Sequence, residues 1–228
     1  MDKVIVVGGG AAGIMAAISA AESGDSVLLI EKNEKLGKKI YITGKGRCNI
    51  TNDSDVENLL KNVRSNPKFL YSAFYTFDSY RMMDFLESEG LKIKTERGNR
   101  VFPESDKSSD VIRTLKKALE KRKVKILLNT KVNKIDIKDG ICKGVEVQSG
   151  SRSENYTADK VIVATGGCSY QSTGSTGDGY EMARRLGHTI IEPRGSLVPL
   201  VEKGHTCAAM QGLALKNVDV KLLDAKGK

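Results

Sequence analysis

No tryptophan occurs in this chain, and aromatic residues make up only 5% of it. Stacking platforms for nucleic-acid bases are therefore few. Cysteine is scarce and scattered: Cys48, Cys142, Cys168 and Cys207 form no CxxC pair. That argues against a zinc ribbon and a thioredoxin-like motif, and no metal site is expected. It also points to a reduced, cytoplasmic setting. No polar low-complexity run is present, so a disordered chain is not expected. No window reaches the roughly 18 uninterrupted apolar residues of a membrane span. The opening MDKVIVVGGGAAGIMAAISAA has the apolarity of a signal peptide, but Asp2 and three consecutive glycines argue against one. No internal repeat is visible.

What is present is a chain of 228 residues, 39% apolar, long enough for one sizeable core or one domain and part of another. The net charge of +9 suits nucleic acid, acidic lipid or small anions as partners. Residues 113–125, RTLKKALEKRKVK, concentrate that charge and read best as the solvated face of a helix.

KVIVV (3–7) and SVLLI (26–30) read as buried strands. A helix is expected between them from Ala11 to about Ser23, closed by Gly24. Helices are expected over 56–64, 67–77 and 79–89, followed by extended pieces near 92–95 and 100–102. Ser108 or Ser109 is expected to cap a helix to Lys121. A strand at 124–128 precedes alternating, antiparallel-type segments over 131–157, with turns at Asp139-Gly140 and near 149–153. KVIVA (160–164) is a further buried strand, leading into a glycine-rich loop and a helix ending at Leu186 and Gly187. His188 then serves carbonyl capping, and neither it nor His205 is a candidate catalyst. After Pro193, short β-like runs (196–201, 207–214, 217–223) suggest a second domain.

The strongest motif is Gly8-x-Gly10-x-x-Gly13, directly after a strand and opening a helix, with Glu31 ending the next strand. This context is what lifts a dinucleotide fingerprint above a chance match. Gly8 permits the tight turn, Gly10 clears the pyrophosphate, and Gly13 lets the helix pack on the sheet. The helix start, with Ala11 and Ala12, offers N–H groups to phosphate. Glu31 can accept from ribose hydroxyls, disfavours a 2′-phosphate, and is followed by Lys32. A glycine turn without ligand is the plain alternative. The Walker A pattern is absent, as is a second GxGxxG.

KKIYITGKGRCNITN (38–52) follows seven residues beyond Glu31. It carries four basic residues and no acid. It reads as neither a clean helix nor a clean strand. Lys38, Lys39 and Arg47 can neutralise pyrophosphate or anionic reduced flavin. Gly44 and Gly46 admit backbone N–H groups to an anion, and Thr43 and Asn49 can hydrogen-bond a cofactor. A basic surface loop is the alternative. Cys48 has two readings, a thiol general acid beside a flavin or a packed loop thiol; no second cysteine follows it closely enough for a disulfide reductase. Cys168 has the same two readings. GSTGDG (174–179) either touches cofactor or substrate, or caps the next helix with Asp178 on its dipole.

The segments LGKKIYITGKGRCNITN (36–52), GNRVFPES (98–105), ATGGCSYQSTGSTGDGY (164–180) and SLVPL (196–200) resemble the BaiN-like NAD(P)/FAD-dependent oxidoreductases, also termed aminoacetone-oxidase-family FAD-binding enzymes. The resemblance implies FAD as cofactor and, with NAD(P)H as an electron donor, hydride transfer to or from a small organic substrate. The antiparallel crossover at 131–157 and the Ala164-Thr165-Gly166 turn resemble those of two-dinucleotide-binding-domain flavoproteins, a likeness that implies the backbone of the loop Thr130–Val132 beside the adenine. The expected fold is α/β, a Rossmann-like FAD-binding domain with parallel sheet and β-meander over 1–192. The start of a β-rich domain is expected over 193–228. The resemblance also implies a longer chain, whose C-terminal segment returns to the flavin. Two other readings stand: a flavin-dependent reductase of uridine in tRNA or rRNA, and a non-catalytic dinucleotide-binding fragment.

Overall fold

The computed structural model describes residues 1–195 and 201–213, together with 215, 218, 219, 221 and 223. The chain divides into two units, Met1–Ile191 and Glu192–Lys228.

In the first unit, β1 (Lys3–Val7), α1 (Ala11–Glu22) and β2 (Ser26–Ile30) form the expected βαβ unit. The chain continues through α2 (Lys38–Ile42), a 3₁₀ turn (Thr43–Gly46) and the short β3 (Thr51–Asn52). Next come α3 (Val56–Lys61), a 3₁₀ turn (Pro67–Leu70), α4 (Tyr71–Thr76) and α5 (Ser79–Ser88). After β4 (Ile93–Glu96) and β5 (Arg100–Pro103) runs the long α6 (Ser108–Lys121). β6 (Lys125–Leu127) leads into β7 (Lys131–Lys138), β8 (Ile141–Ser149) and β9 (Arg152–Thr157). β10 (Lys160–Val163) and α7 (Asp178–Arg185) complete the unit.

The main sheet is parallel, in the order β10-β1-β2-β6, and β7-β8-β9 is an antiparallel meander. A third sheet, β3-β5-β4, is antiparallel. The main sheet carries a core on each face. On one, Val4, Val6 and Leu29 meet Ile14, Ala17 and Ile18 of α1 and Val111, Leu115 and Leu119 of α6. On the other, Ile5, Val7 and Ile30 meet Val132, Val145 and Val147 of the meander. Apolar residues at successive strand positions feed opposite faces, which is why these strands read as unbroken apolar runs.

Three local expectations change. Residues 38–42 form a helix, because Ile40 is buried among core residues next to α6. Neither Ser108 nor Ser109 is the N-cap of α6: that position belongs to Lys107, and the Ser108 hydroxyl donates to the Tyr41 carbonyl at 3.0 Å. Residues 207–209, read as β-like, belong to the helical turn α8 (Thr206–Ala209) of the second unit. The Glu202 carboxylate accepts there from the N–H groups of Thr206 and Cys207, at 3.3 and 2.7 Å. Of the runs at 196–201 and 217–223, residues 196–200, 217, 220 and 222 lie outside the described residues.

Candidate functional site

At the C-terminal ends of β1, β2 and β10, the departing loops enclose a cavity of about 500 Å³. Chain order reverses at β1, with β2 on one side and β10 on the other. Doubly wound sheets bind ligands at such a switch point. The volume is within the range of small-molecule sites.

Each wall is set by backbone geometry. Gly8, Gly10, Ala11 and Ala12 supply the β1–α1 turn, and Glu31 and Lys32 the end of β2. Lys38, Lys39 and Thr43 come from α2 and the turn after it, Val132 from β7, and Ala164, Thr165 and Gly166 from the end of β10. The N–H groups of Ala11, Ala12 and Gly13 have no backbone partner among the described residues, and Ala11 and Ala12 line the cavity. A Cβ built on Gly10 would meet nothing within 4 Å. A Cβ on Gly13 would overlap the Gly8 carbonyl oxygen, so Gly13 acts in helix–strand packing rather than at the wall.

Glu31 is buried, and its carboxylate is already held. Oε2 accepts from the Gly9 N–H at 2.6 Å, and Oε1 from the Asn33 N–H and Nδ2 at 2.8 and 2.6 Å. A carboxylate has about four lone-pair sites, so one on Oε2 is left for a ligand hydroxyl. Lys32 is paired with Asp178 at 2.8 Å and also donates to Thr176. Burial pushes the Asp178 carboxyl up, but the Lys32 and Thr176 hydrogen bonds outweigh it and hold the group below its usual value. Asp178 also stands in the first turn of α7, complementing its dipole. Lys38 reaches Asn33 and Glu34, and Lys39 reaches Ser169. Helix start, two lysines, a threonine hydroxyl and a carboxylate are the kinds of group that hold the phosphates and ribose hydroxyls of a dinucleotide.

Gly174, Ser175, Asp178 and Gly179 of the glycine-rich loop also line the cavity, beside Tyr180 and Met182. Asn33 is a residue that sequence reasoning misses. It joins Glu31, Lys38 and the Thr173 carbonyl. Its only sequence signal is a place two residues beyond the strand-ending carboxylate.

Gly46, Arg47, Cys48 and Asn49 are not brought to the cavity wall. The Arg47 guanidinium donates to both Glu96 oxygens at 2.9 and 3.2 Å and to Asp106 at 3.1 Å, and it lies 4.0 Å over the Phe102 ring. Its charge is thus spent on β4, β5 and the loop after them. Glu96 is held below its ordinary range chiefly by the Arg47 hydrogen bond, and Asp106 chiefly by that of Lys94. For carboxyls whose folded values are lowered, the stabilisation is complete at neutral pH and is lost as pH falls below about 4. Arg47→Ala is therefore expected to lower the urea midpoint at neutral pH, with the gap to wild type closing in acid. A gap independent of pH would show that the ion pairs do not hold this loop.

Cys48 is buried in the α1–α6 core, with φ +64°. Burial pushes its thiol up, only partly opposed by the Thr43 side chain. A buried, protonated thiol is a poor acid and a poor nucleophile. In native protein, mass spectrometry after iodoacetamide treatment is expected to find Cys168 and Cys207 alkylated, since both are exposed. Cys48 should react only on unfolding; rapid native labelling there would restore a chemical role.

Among the described residues no helix is long and apolar enough to cross a membrane, and no cluster of side chains is suited to a metal ion.

Comparison with known proteins gives a consistent answer. Residues 2–228 match the family described as HI0933-like protein Rossmann domain. The chain is 36% identical over 215 residues to a 3-dehydro-bile acid delta(4,6)-reductase of Clostridium scindens, covering 93% of this chain and 51% of that one. It is 30% identical over 213 residues to a ribosomal RNA dihydrouridine synthase of Haemophilus influenzae, covering 92% and 52%. The chain thus spans about half the length of these curated relatives. Among solved structures, a 3-ketosteroid-delta4-(5alpha)-dehydrogenase from Rhodococcus jostii superposes with a TM-score of 0.67 at 16% identity, over 82% of this chain and 54% of that one. That likeness concerns the fold.

Proposed function

This chain belongs to the family of HI0933-like proteins with a Rossmann domain, and from that premise we propose that it is an FAD-dependent oxidoreductase acting on a small organic substrate, with NAD(P)H as electron source. The observation that carries the reading is the cavity at the sheet's switch point, with a bare helix N-terminus on one wall and a strand-ending carboxylate on another. Bound FAD supplies hydride transfer. The protein's own part is binding and orientation. Ala11 and Ala12 direct N–H groups at the pyrophosphate, next to the space left by Gly10. Lys38 and Lys39 offset its charge, and the free lone pair of Glu31 takes a ribose hydroxyl. The backbone at Val132 would meet the adenine, and Ala164, Thr165 and Gly166, which line the same cavity, would form the second contact. Arg47 acts indirectly, by positioning the loop that carries Thr43. We assign 1–192 to the FAD domain and 193–228 to a second domain, in a cytoplasmic protein.

Of the two curated relatives described above, the bile acid reductase is the more similar, which supports a small organic substrate. A second reading is favoured by the other relative and by the charge of +9: reduction of uridine in RNA. The test is the absorbance spectrum of the purified protein, before and after NADH or NADPH without oxygen. A flavin spectrum that bleaches is expected. Failure to take up FAD would leave the non-catalytic reading. Nucleoside mass spectrometry of RNA incubated with reduced protein separates the two substrate classes: dihydrouridine supports the second.

A further inference from the structure

Aromatic side chains are few, yet five of the twelve are exposed on one short segment. Phe69, Tyr71, Tyr75, Phe77 and Tyr80 occupy the 3₁₀ turn, α4 and the start of α5, each at least 43% exposed and Phe69 80%. α4 buries none of its residues, whereas a surface helix normally turns its apolar side to the core. The Tyr71 and Tyr75 rings stack, with centroids 5.8 Å apart and planes 21° apart. The Tyr75 hydroxyl donates to Glu57 at 2.9 Å, which holds that ring in place.

Cations neighbour these rings along the chain. Lys61, Arg64 and Lys68 are exposed and have no ion-pair partner among the described residues. Between 61 and 81 the only carboxylate is Asp78, which is occupied in capping α5. Arg81 is turned to the Thr76 carbonyl. No Leu, Ile, Val or Met in this stretch is exposed. Rings interleaved with lysines, without aliphatics, match a single-strand stacking surface better than a protein interface, where lysine is depleted.

We propose that this face binds single-stranded RNA, with bases stacked on the Tyr71, Tyr75 and Phe69 rings and phosphates met by Lys61, Arg64 and Lys68. The choice of RNA rests on the second reading of function; the location rests on the structure alone. The basic run 113–125 is the weaker candidate, because Arg113, Lys116, Lys121 and Arg122 are engaged in ion pairs.

The test is fluorescence anisotropy of a labelled single-stranded oligouridine with the FAD-loaded chain at low salt. Tyr71→Ala/Tyr75→Ala is expected to weaken binding about tenfold or more. Replacing Lys61, Arg64 and Lys68 by glutamine should reduce the log–log salt slope by about 2. Both variants should keep FAD uptake, which shows that they fold. No affinity in the wild type, or undiminished affinity without the two rings, overturns the proposal. So does self-association that the same substitutions abolish, since the face would then join two copies. RNA binding through these rings without dihydrouridine formation supports the face while removing the second reading of function. Dihydrouridine formation unaffected by ring removal does the reverse.

Discussion

Gly10→Glu is expected to abolish flavin uptake while leaving the fold in place. Position 10 is the N-cap of α1, with φ −83° and ψ −171°, a conformation any residue adopts. A Cβ built there meets no heavy atom within 4 Å, and position 10 lines the cavity. It therefore extends into the cavity, where its carboxylate takes the place of the pyrophosphate and repels it. Two like charges about 4 Å apart near a protein surface cost about 4 kcal/mol, roughly a thousandfold in affinity. Stability should move little, since an N-cap change of this kind is worth about 1 kcal/mol, a few degrees in Tm for a chain of this size. Absorbance of the purified variant and a thermal melt read the two effects separately. A yellow variant would show that α1 is not the phosphate site.

Gly13→Val should fail in the opposite order, by losing the fold first. The α1 backbone passes so close to the β1–α1 turn that any Cβ at 13 overlaps the Gly8 carbonyl oxygen and crowds the Gly8 carbonyl carbon. Neither obstacle is the movable tip of a long side chain. The helix would have to lift off the sheet, and Ile14, Ala17 and Ile18, all essentially inaccessible to solvent, would lift with it. Overpacking against backbone belongs with the largest mutational effects, about 4 kcal/mol or more. That corresponds to a fall in Tm of roughly 10 °C or more, or to insoluble protein. A variant that melts like wild type would contradict the close approach of α1 to this turn.

These two glycines show why part of the site could be read from sequence. The βαβ unit is specified by neighbours in the chain: an apolar run, a turn, a helix, a second run ending in a carboxylate. The helix at Lys38–Ile42 was not legible, because five residues carry little helical signal and the decisive fact is Ile40 reaching the core. Arg47 was misleading for a related reason. Its partners Glu96 and Asp106 lie 49 and 59 residues away, so a cation free in sequence is spent in the fold. β3 escaped notice as well: two residues acquire strand character only by pairing with β5. Composition gives the number of aromatic rings, but only the fold shows that five of them in one segment are exposed and that two of these stack.

Glu31 has a consequence for the rate of binding. Three N–H donors hold its carboxylate before any ligand arrives, and Asn33 ties the same group to α2 and to the glycine-rich loop. Its rotamer entropy is surrendered during folding, not during capture. A dinucleotide therefore meets a ready-made recess, and association should proceed at encounter-limited speed without a slow closing phase. Differences in affinity among variants of this recess should then appear in how long the ligand stays.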